Sequence, residues 1–288
     1  MSAQTTRIRP LGRPAGKSLE KWVLWLLLGA GAILMIAPFY WMIVTAFKSR
    51  SEVMVFPPTW WPQQPTLEPW EELTRLRGGF HIFFANSLFV STCITCLVLL
   101  TSAMAGYVFA KFQFRGRDLL FILILSLLMI PFNVYIIPLY KLMVDLSWTN
   151  SYWALIIPGI YSPLGIFLMR QFMHSIPNDL VDAARVDGAS EWGIFFRIVL
   201  PLSTAALAAL GIFTFTWTWD DFLWPLVIID EPQRYTLPLG LSQLRGRFGT
   251  DVGTSMAGAM VAVLPVLIVY LFAQRRFVEG ITLSGLKG

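Results

Sequence analysis

Apolar residues run along this chain in blocks too long for the core elements of a soluble domain, and polar breaks divide them into six segments: 22–47, 85–110, 119–139, 152–172, 203–229 and 253–273. Each meets the ~20 residues that a helix needs to cross a bilayer. The first is also far longer than the ~7–15-residue core of a signal peptide, so it predicts a helix that stays on the protein. Pro131 and Pro138 predict a bend in the third segment, and Pro158 and Pro163 in the fourth, because each proline removes a backbone hydrogen bond that only neighbouring protein can replace. The pattern is that of an all-α integral membrane protein with six transmembrane helices. Around the spans lie a polar tail (1–21), a Pro- and Trp-rich loop (48–84) whose Trp60 and Trp61 belong at the membrane interface, a five-helix core (85–273) and a second tail (274–288).

One stretch breaks the pattern. Residues 176–201, IPNDLVDAARVDGASEWGIFFRIVLP, are too charged to span and read as two short helices joined at a turn. Asn178 or Asp179 is placed to cap the first and Ser190 the second, with Gly188 between them allowing a sharp change of backbone direction. Helical spacing sets Leu180, Ala183, Ala184 and Asp187 on one side and turns Asp182 and Arg185 away.

With 56% hydrophobic and 14% charged residues, composition excludes a soluble domain of this size. The net charge of +5 does not point to nucleic acid, since the basic residues are dispersed. Fourteen of the 22 Lys and Arg fall on the side of the two tails and the 176–201 hairpin, and eight on the other. That bias puts both termini and the hairpin in the cytoplasm. Cys93 and Cys96, with no second pair and no nearby His, read as small helix residues, and His81 and His174 are isolated. The run GRPAGKS at 12–18 has three residues between its glycines where a phosphate loop needs four, so it gives the chain no nucleotide site of that kind. Ser102 with Gly106, and Gly258 with Ala262, are small pairs that permit close helix contact.

The fifth segment carries Thr214, Trp217, Asp220, Asp221 and Trp224. Adjacent carboxylates in a bilayer cost several kcal/mol unless they face water or a partner. As one helix, the segment would set Trp217, Asp221 and Trp224 on one face and Phe213, Thr216 and Asp220 on another. Aromatic surfaces beside hydrogen-bonding groups suit sugars, and these five residues are the candidate substrate pathway. The alternative is an interfacial belt of Trp217, Trp219 and Trp224, with the acids in headgroup water.

Asp182-Ala183-Ala184, two residues, Asp187-Gly188-Ala189, then Phe196, Ile198, Leu200 and Pro201 resemble the E-A-A loop of ABC-importer permeases, with Asp182 where that family usually has Glu. Trp219-Asp220-Asp221-Phe222 followed by Trp224-Pro225 is similar to a motif of the sugar-type members, Asp220 replacing the usual Asn. Residues 280–288, GITLSGLKG, resemble the family's glycine-rich tail, which in some sugar importers lies against the ATPase interface; a solvated end is the plainer reading.

The resemblance implies the type I ABC-importer permease fold, in a subunit of a bacterial carbohydrate (maltose-type) importer of the cytoplasmic membrane. It implies a second permease subunit, two ATPase subunits, an extracytoplasmic solute-binding protein, a sugar substrate and membrane lipid as partners. The ATPase-coupling residues would be Asp182, Ala183, Ala184, Asp187, Gly188 and Ala189. No catalytic, cofactor-binding or metal residues are expected in this chain, ATP and Mg being bound by the ATPase subunits. The other readings are an ion-coupled secondary transporter using Asp220 and Asp221, and an ABC permease for a polyol or glycerol phosphate. An intramembrane aspartyl protease would need acids from separate helices, whereas these two are adjacent on one.

Overall fold

The computed structural model describes residues 16–245 and 251–285. Among them the chain is helical, in the order α1 (Gly16–Thr45), α2 (Arg50–Val53), α3 (Glu68–Thr74), α4 (Phe80–Lys111), α5 (Arg117–Ser126), α6 (Phe132–Asp145), α7 (Tyr152–Ile156), α8 (Pro163–His174), α9 (Asn178–Val186), α10 (Glu191–Ile194), α11 (Leu200–Leu202), α12 (Thr204–Trp219), α13 (Leu223–Ile228), α14 (Leu237–Ser242) and α15 (Val252–Gly285). Four stretches are long and apolar enough to cross a membrane unaided, and two bent pairs bring the number to six if each pair makes one span.

The axis of the molecule is α4, which packs against α8 on one side and α12 on another, with α15 beyond α12. Small residues set the α4–α8 distance. A Cβ added to Gly106 would lie 2.7 Å from the Met169 Cβ and 2.9 Å from the Arg170 backbone nitrogen, so only glycine allows this approach. Ser102, one turn away, is fully buried. Val90, Ile94 and Val98 of α4, Met169 and Met173 of α8, and Leu210 of α12 lie in one continuous buried cluster. Between α12 and α15 the buried Trp219 donates its indole N–H to the Ala262 carbonyl at 3.0 Å. Both small pairs of the sequence therefore lie at helix contacts.

Proline interrupts both segments in which it is expected to, and breaks the third sharply. In the third segment, Arg117–Met129 and Phe132–Asp145 meet at 99° across Pro131, while Pro138 stays inside α6. In the fourth, a 3₁₀ turn (Ile157–Ile160) carrying Pro158 separates α7 from α8, whose first residue is Pro163. The fifth differs from the sequence expectation: α12 stops at Trp219, and residues up to Ile228 form a separate short helix. The second tail also differs, since the backbone of residues 274–285 continues α15. Residues 1–15 and 286–288, which hold most of the first tail and the Lys-Gly end, lie outside the described residues. No side chain of α1 between Trp22 and Tyr40 is buried.

Candidate functional site

The 176–201 hairpin closes one end of the bundle. Its turn follows from Gly188: at φ +81° this residue occupies the left-handed region and ends α9 in a Schellman arrangement, Ala189 N–H donating to the Ala184 carbonyl at 2.9 Å and Gly188 N–H to Arg185 at 3.0 Å. Ser190 then starts α10, its hydroxyl accepting from Gly193 N–H at 3.2 Å. The cap of α9 differs from the expectation. Pro177 occupies the cap position, and the Asn178 side chain instead accepts from Lys111 Nζ at 2.8 Å.

The two faces of α9 also differ from those drawn on spacing. Val181 is buried and Ala184 half-buried against the bundle, whereas Leu180, Asp182, Ala183, Val186 and Asp187 face out, as do Gly188 and Ala189 beyond the helix. Arg185 turns inward. Its Nε donates to Glu191 Oε1 at 2.7 Å and its Nη1 to Asp182 Oδ1 at 2.9 Å, and the hydrogen bond to the Glu191 carboxylate, first among the causes, holds the guanidinium above its ordinary pKa. Glu191 in turn accepts from the Tyr107 hydroxyl of α4 at 2.7 Å. Lys111, one turn further along α4, also donates to the Ile176 carbonyl at 2.5 Å.

Tyr107, Lys111 and Glu191 are thus the residues that spacing within the hairpin could not reveal. The available signal was a Tyr and a Lys at i, i+4 at the polar end of an apolar helix. Beyond α10 a π turn (Phe195–Val199) buries Phe195 and Val199 and leaves Phe196 stacked on the exposed Trp192, with ring centroids 6.1 Å apart. The result is a protrusion hydrogen-bonded to α4 whose outer surface exposes the apolar side chains of Leu180, Ala183, Val186, Ala189, Trp192 and Phe196 beside the carboxylates of Asp182 and Asp187. Such a surface suits a cleft in another protein.

The fifth-segment residues are not brought together. Asp220 ends α12, so the helical face expected to join Trp217, Asp221 and Trp224 is interrupted. Trp224 is buried and donates its indole N–H to the Ala154 carbonyl at 2.8 Å, which makes it a packing residue between α13 and α7. Asp221 is half-buried and accepts weakly from Trp224 N–H at 3.5 Å; Asp220 is exposed. Trp217 is 82% exposed on α12, and Thr214, one turn back, is half-buried with its carbonyl accepting from Thr218 Oγ1 at 2.8 Å. Trp217 and Asp220, three residues apart at the end of α12, therefore remain exposed.

At the opposite end from the hairpin, the loop after α1, the start of α4 and the segment before α15 enclose a polar cavity of about 570 Å³. Glu68, Glu72, Arg75, Arg77, Asp230 and Asp251 line it, so it presents both signs of charge.

The family model of binding-protein-dependent transport system inner membrane components matches residues 98–282, a stretch that contains α8, the hairpin and α12. The arabinooligosaccharides transport system permease protein AraQ of Halalkalibacterium halodurans is 37% identical over 263 residues, covering 89% of this chain and 93% of the relative. The protein of the same name from Bacillus subtilis is 40% identical over 227 residues, covering 78% and 81%. In three dimensions the chain matches one in the crystal structure of a bacterial ABC transporter involved in the import of the acidic polysaccharide alginate, with a TM-score of 0.80 at 21% identity, covering 93% of this chain and 100% of that one. That likeness supports the all-helical ABC-importer permease fold. Together these matches say that the chain belongs to the family of binding-protein-dependent transport system inner membrane components, the multi-pass permeases of ABC importers.

Proposed function

We propose that this permease pairs with a second permease subunit and two ATPase subunits, and passes an oligosaccharide delivered by an extracytoplasmic solute-binding protein. The observation that carries the reading is the hairpin: a protrusion with an exposed, largely apolar outer surface edged by Asp182 and Asp187, tied to the central helix α4 by the Tyr107–Glu191 and Lys111–Asn178 hydrogen bonds. A push on that surface is delivered directly to α4, against which α8 and α12 pack. Asp182, Ala183, Asp187, Gly188 and Ala189 face the ATPase in this reading, and Ala184 seats the helix. ATP and Mg belong to the ATPase subunits. The charge bias among Lys and Arg supports both termini and the hairpin in the cytoplasm.

A carbohydrate substrate is supported by the two AraQ relatives, whose names specify arabinooligosaccharides. The exposed Trp217 beside Asp220 offers a ring surface and a hydrogen-bond acceptor of the kind sugars use. Family membership favours ATP as the energy source over an ion gradient. The test is uptake by the purified complex in liposomes with its binding protein and a panel of labelled oligosaccharides. Accumulation should require ATP on the hairpin side and persist when ion gradients are collapsed; uptake that follows a proton or sodium gradient without ATP would refute the proposal.

A further inference from the structure

The loop between α1 and α3 holds Lys48, Glu52 and Thr59 on its inner side and turns several large apolar side chains outward. It departs at Phe47 and is closed by Thr66 N–H donating to the Phe47 carbonyl at 3.0 Å. Inside the closure, Lys48 is 2% exposed, donates Nζ to the Thr59 carbonyl and lies 4.6 Å from the centre of the Trp41 ring. Glu52 accepts from Thr59 Oγ1 at 2.8 Å and from Gln63 N–H at 2.9 Å. The clamped loop turns its large side chains outward: Phe56 is 91% exposed, Trp60 74%, Met54 and Trp61 68%, and Val55 50%. No charged residue lies between Met54 and Trp61.

The position of this surface relative to α1 is defined by two contacts. The Tyr40 hydroxyl donates to the Trp60 carbonyl at 2.7 Å, and the Trp60 ring meets Trp41 edge-on at 5.9 Å between centroids. Tyr40 lies five residues before the end of α1 at Thr45, so Trp60 is held roughly 7.5 Å back along the helix, at 1.5 Å per residue. The loop therefore folds back beside a helix long and apolar enough to span, on the side where helical spacing aligns the exposed Ile33 and Ile36 with Tyr40.

We propose that this loop is a non-spanning membrane anchor that sets Met54, Val55, Phe56, Trp60 and Trp61 into the headgroup–acyl boundary of the bilayer alongside α1. Composition alone placed Trp60 and Trp61 at the interface; the geometry adds the Met54–Phe56 wedge and the polar clamp that holds it. Indole rings prefer that boundary because an apolar body and a polar N–H are both accommodated there. An uncharged apolar patch beside the exposed side of a span fits lipid without further ordering, since the clamp is already closed.

The test uses the assembled transporter in lipid nanodiscs. Cys93 and Cys96 are replaced by Ser, and an environment-sensitive label is placed at Phe56→Cys or, as a second site, Val55→Cys. A label at Thr74→Cys on the exposed side of α3 is the aqueous control. Nitroxide lipids labelled near the top of the acyl chain should quench the position 56 or 55 label several-fold more than the control, while iodide should quench the control preferentially. Equal iodide access at both positions would put the wedge in water, and protection from both quenchers would put it under a protein subunit. Either result overturns the anchor, whichever way energy coupling turns out.

Discussion

At the residue scale, Gly188 and Trp224 separate two kinds of importance. Nothing lies within 4 Å of a Cβ built on Gly188, so its constraint is entirely the backbone at φ +81°. An L-residue there costs about 1–2 kcal/mol, and a β-branched one more. Gly188→Val should therefore leave the complex assembled, since no neighbour is displaced, but reshape the α9–α10 turn and lower substrate moved per ATP hydrolysed. Gly188→Asn, which tolerates the left-handed region, should recover most of it. A Val variant with normal coupling would deny the turn its role. For Trp224, substitution by Phe removes the indole N–H and one of its two fused rings, so the buried Ala154 carbonyl loses its donor, a loss of roughly 1–3 kcal/mol, and a small cavity adds to it. That should appear as a lower melting temperature of the purified complex. Trp217→Ala, at an exposed position, should leave melting unchanged and weaken apparent substrate affinity; unchanged transport in both Trp217→Ala and Asp221→Ala would remove this face from the pathway.

At the scale of elements, the α4–α8 seam is the most demanding contact, because Gly106 meets backbone as well as side chain. Gly106→Val should prevent stable accumulation in the membrane, whereas Gly211→Ala on α12, where the added atom meets only Leu99 side-chain carbons at 3.6 Å and beyond, should be tolerated. Quantitative immunoblotting of membranes distinguishes the two. The clamp of the anchor loop has a pH signature. Backbone N–H donation from Gln63 is the largest influence on Glu52 and holds its carboxyl below the ordinary range. A depressed folded pKa contributes stability above the unfolded pKa, and this is lost as pH falls through the lowered value. Lipid quenching at position 56 should thus persist at neutral pH and decline only below the usual carboxylate range; a decline at neutral pH would separate the clamp from Glu52. Much of this level was legible in the chain. Length and hydropathy marked the long apolar helices, though not the limits of the fifth segment, where the bent pair Glu191–Leu202 and Thr204–Trp219 replaces 203–229; the small pairs marked the seams, and Gly188 marked the turn. The inward turn of Arg185 was not legible, because its direction is set by Glu191 across the turn and by Tyr107 far away in sequence. Nor was the end of α12, since the helical spacing that grouped Trp217 with Trp224 assumes a continuous helix through Asp220.

At the scale of the whole molecule, orientation decides whether the hairpin can do what its surface suggests. Under the proposed function, transport requires two global states that bind nucleotide-loaded ATPase and loaded binding protein with different affinity, since a partner indifferent to the two states shifts nothing. The two partners must then act at opposite ends of the bundle. The geometry supplies two such ends: the hairpin hydrogen-bonded to α4 at one, and the mixed-charge cavity beside the α1–α3 loop at the other. Lys and Arg excess on the tail and hairpin side predicts that the hairpin end is cytoplasmic, where ATP is. With native cysteines replaced, a cysteine at the exposed Ala189 should react with a membrane-impermeant maleimide only after the membrane is opened or inverted, and ATPase subunits bound at the hairpin should slow that reaction. A cysteine at the exposed Thr74, at the cavity end, should react from outside intact cells. Reaction at Ala189 from outside would place the hairpin away from the nucleotide and break the coupling scheme. Cytoplasmic reaction without protection by the ATPase would keep the topology and refute the hairpin as the docking surface.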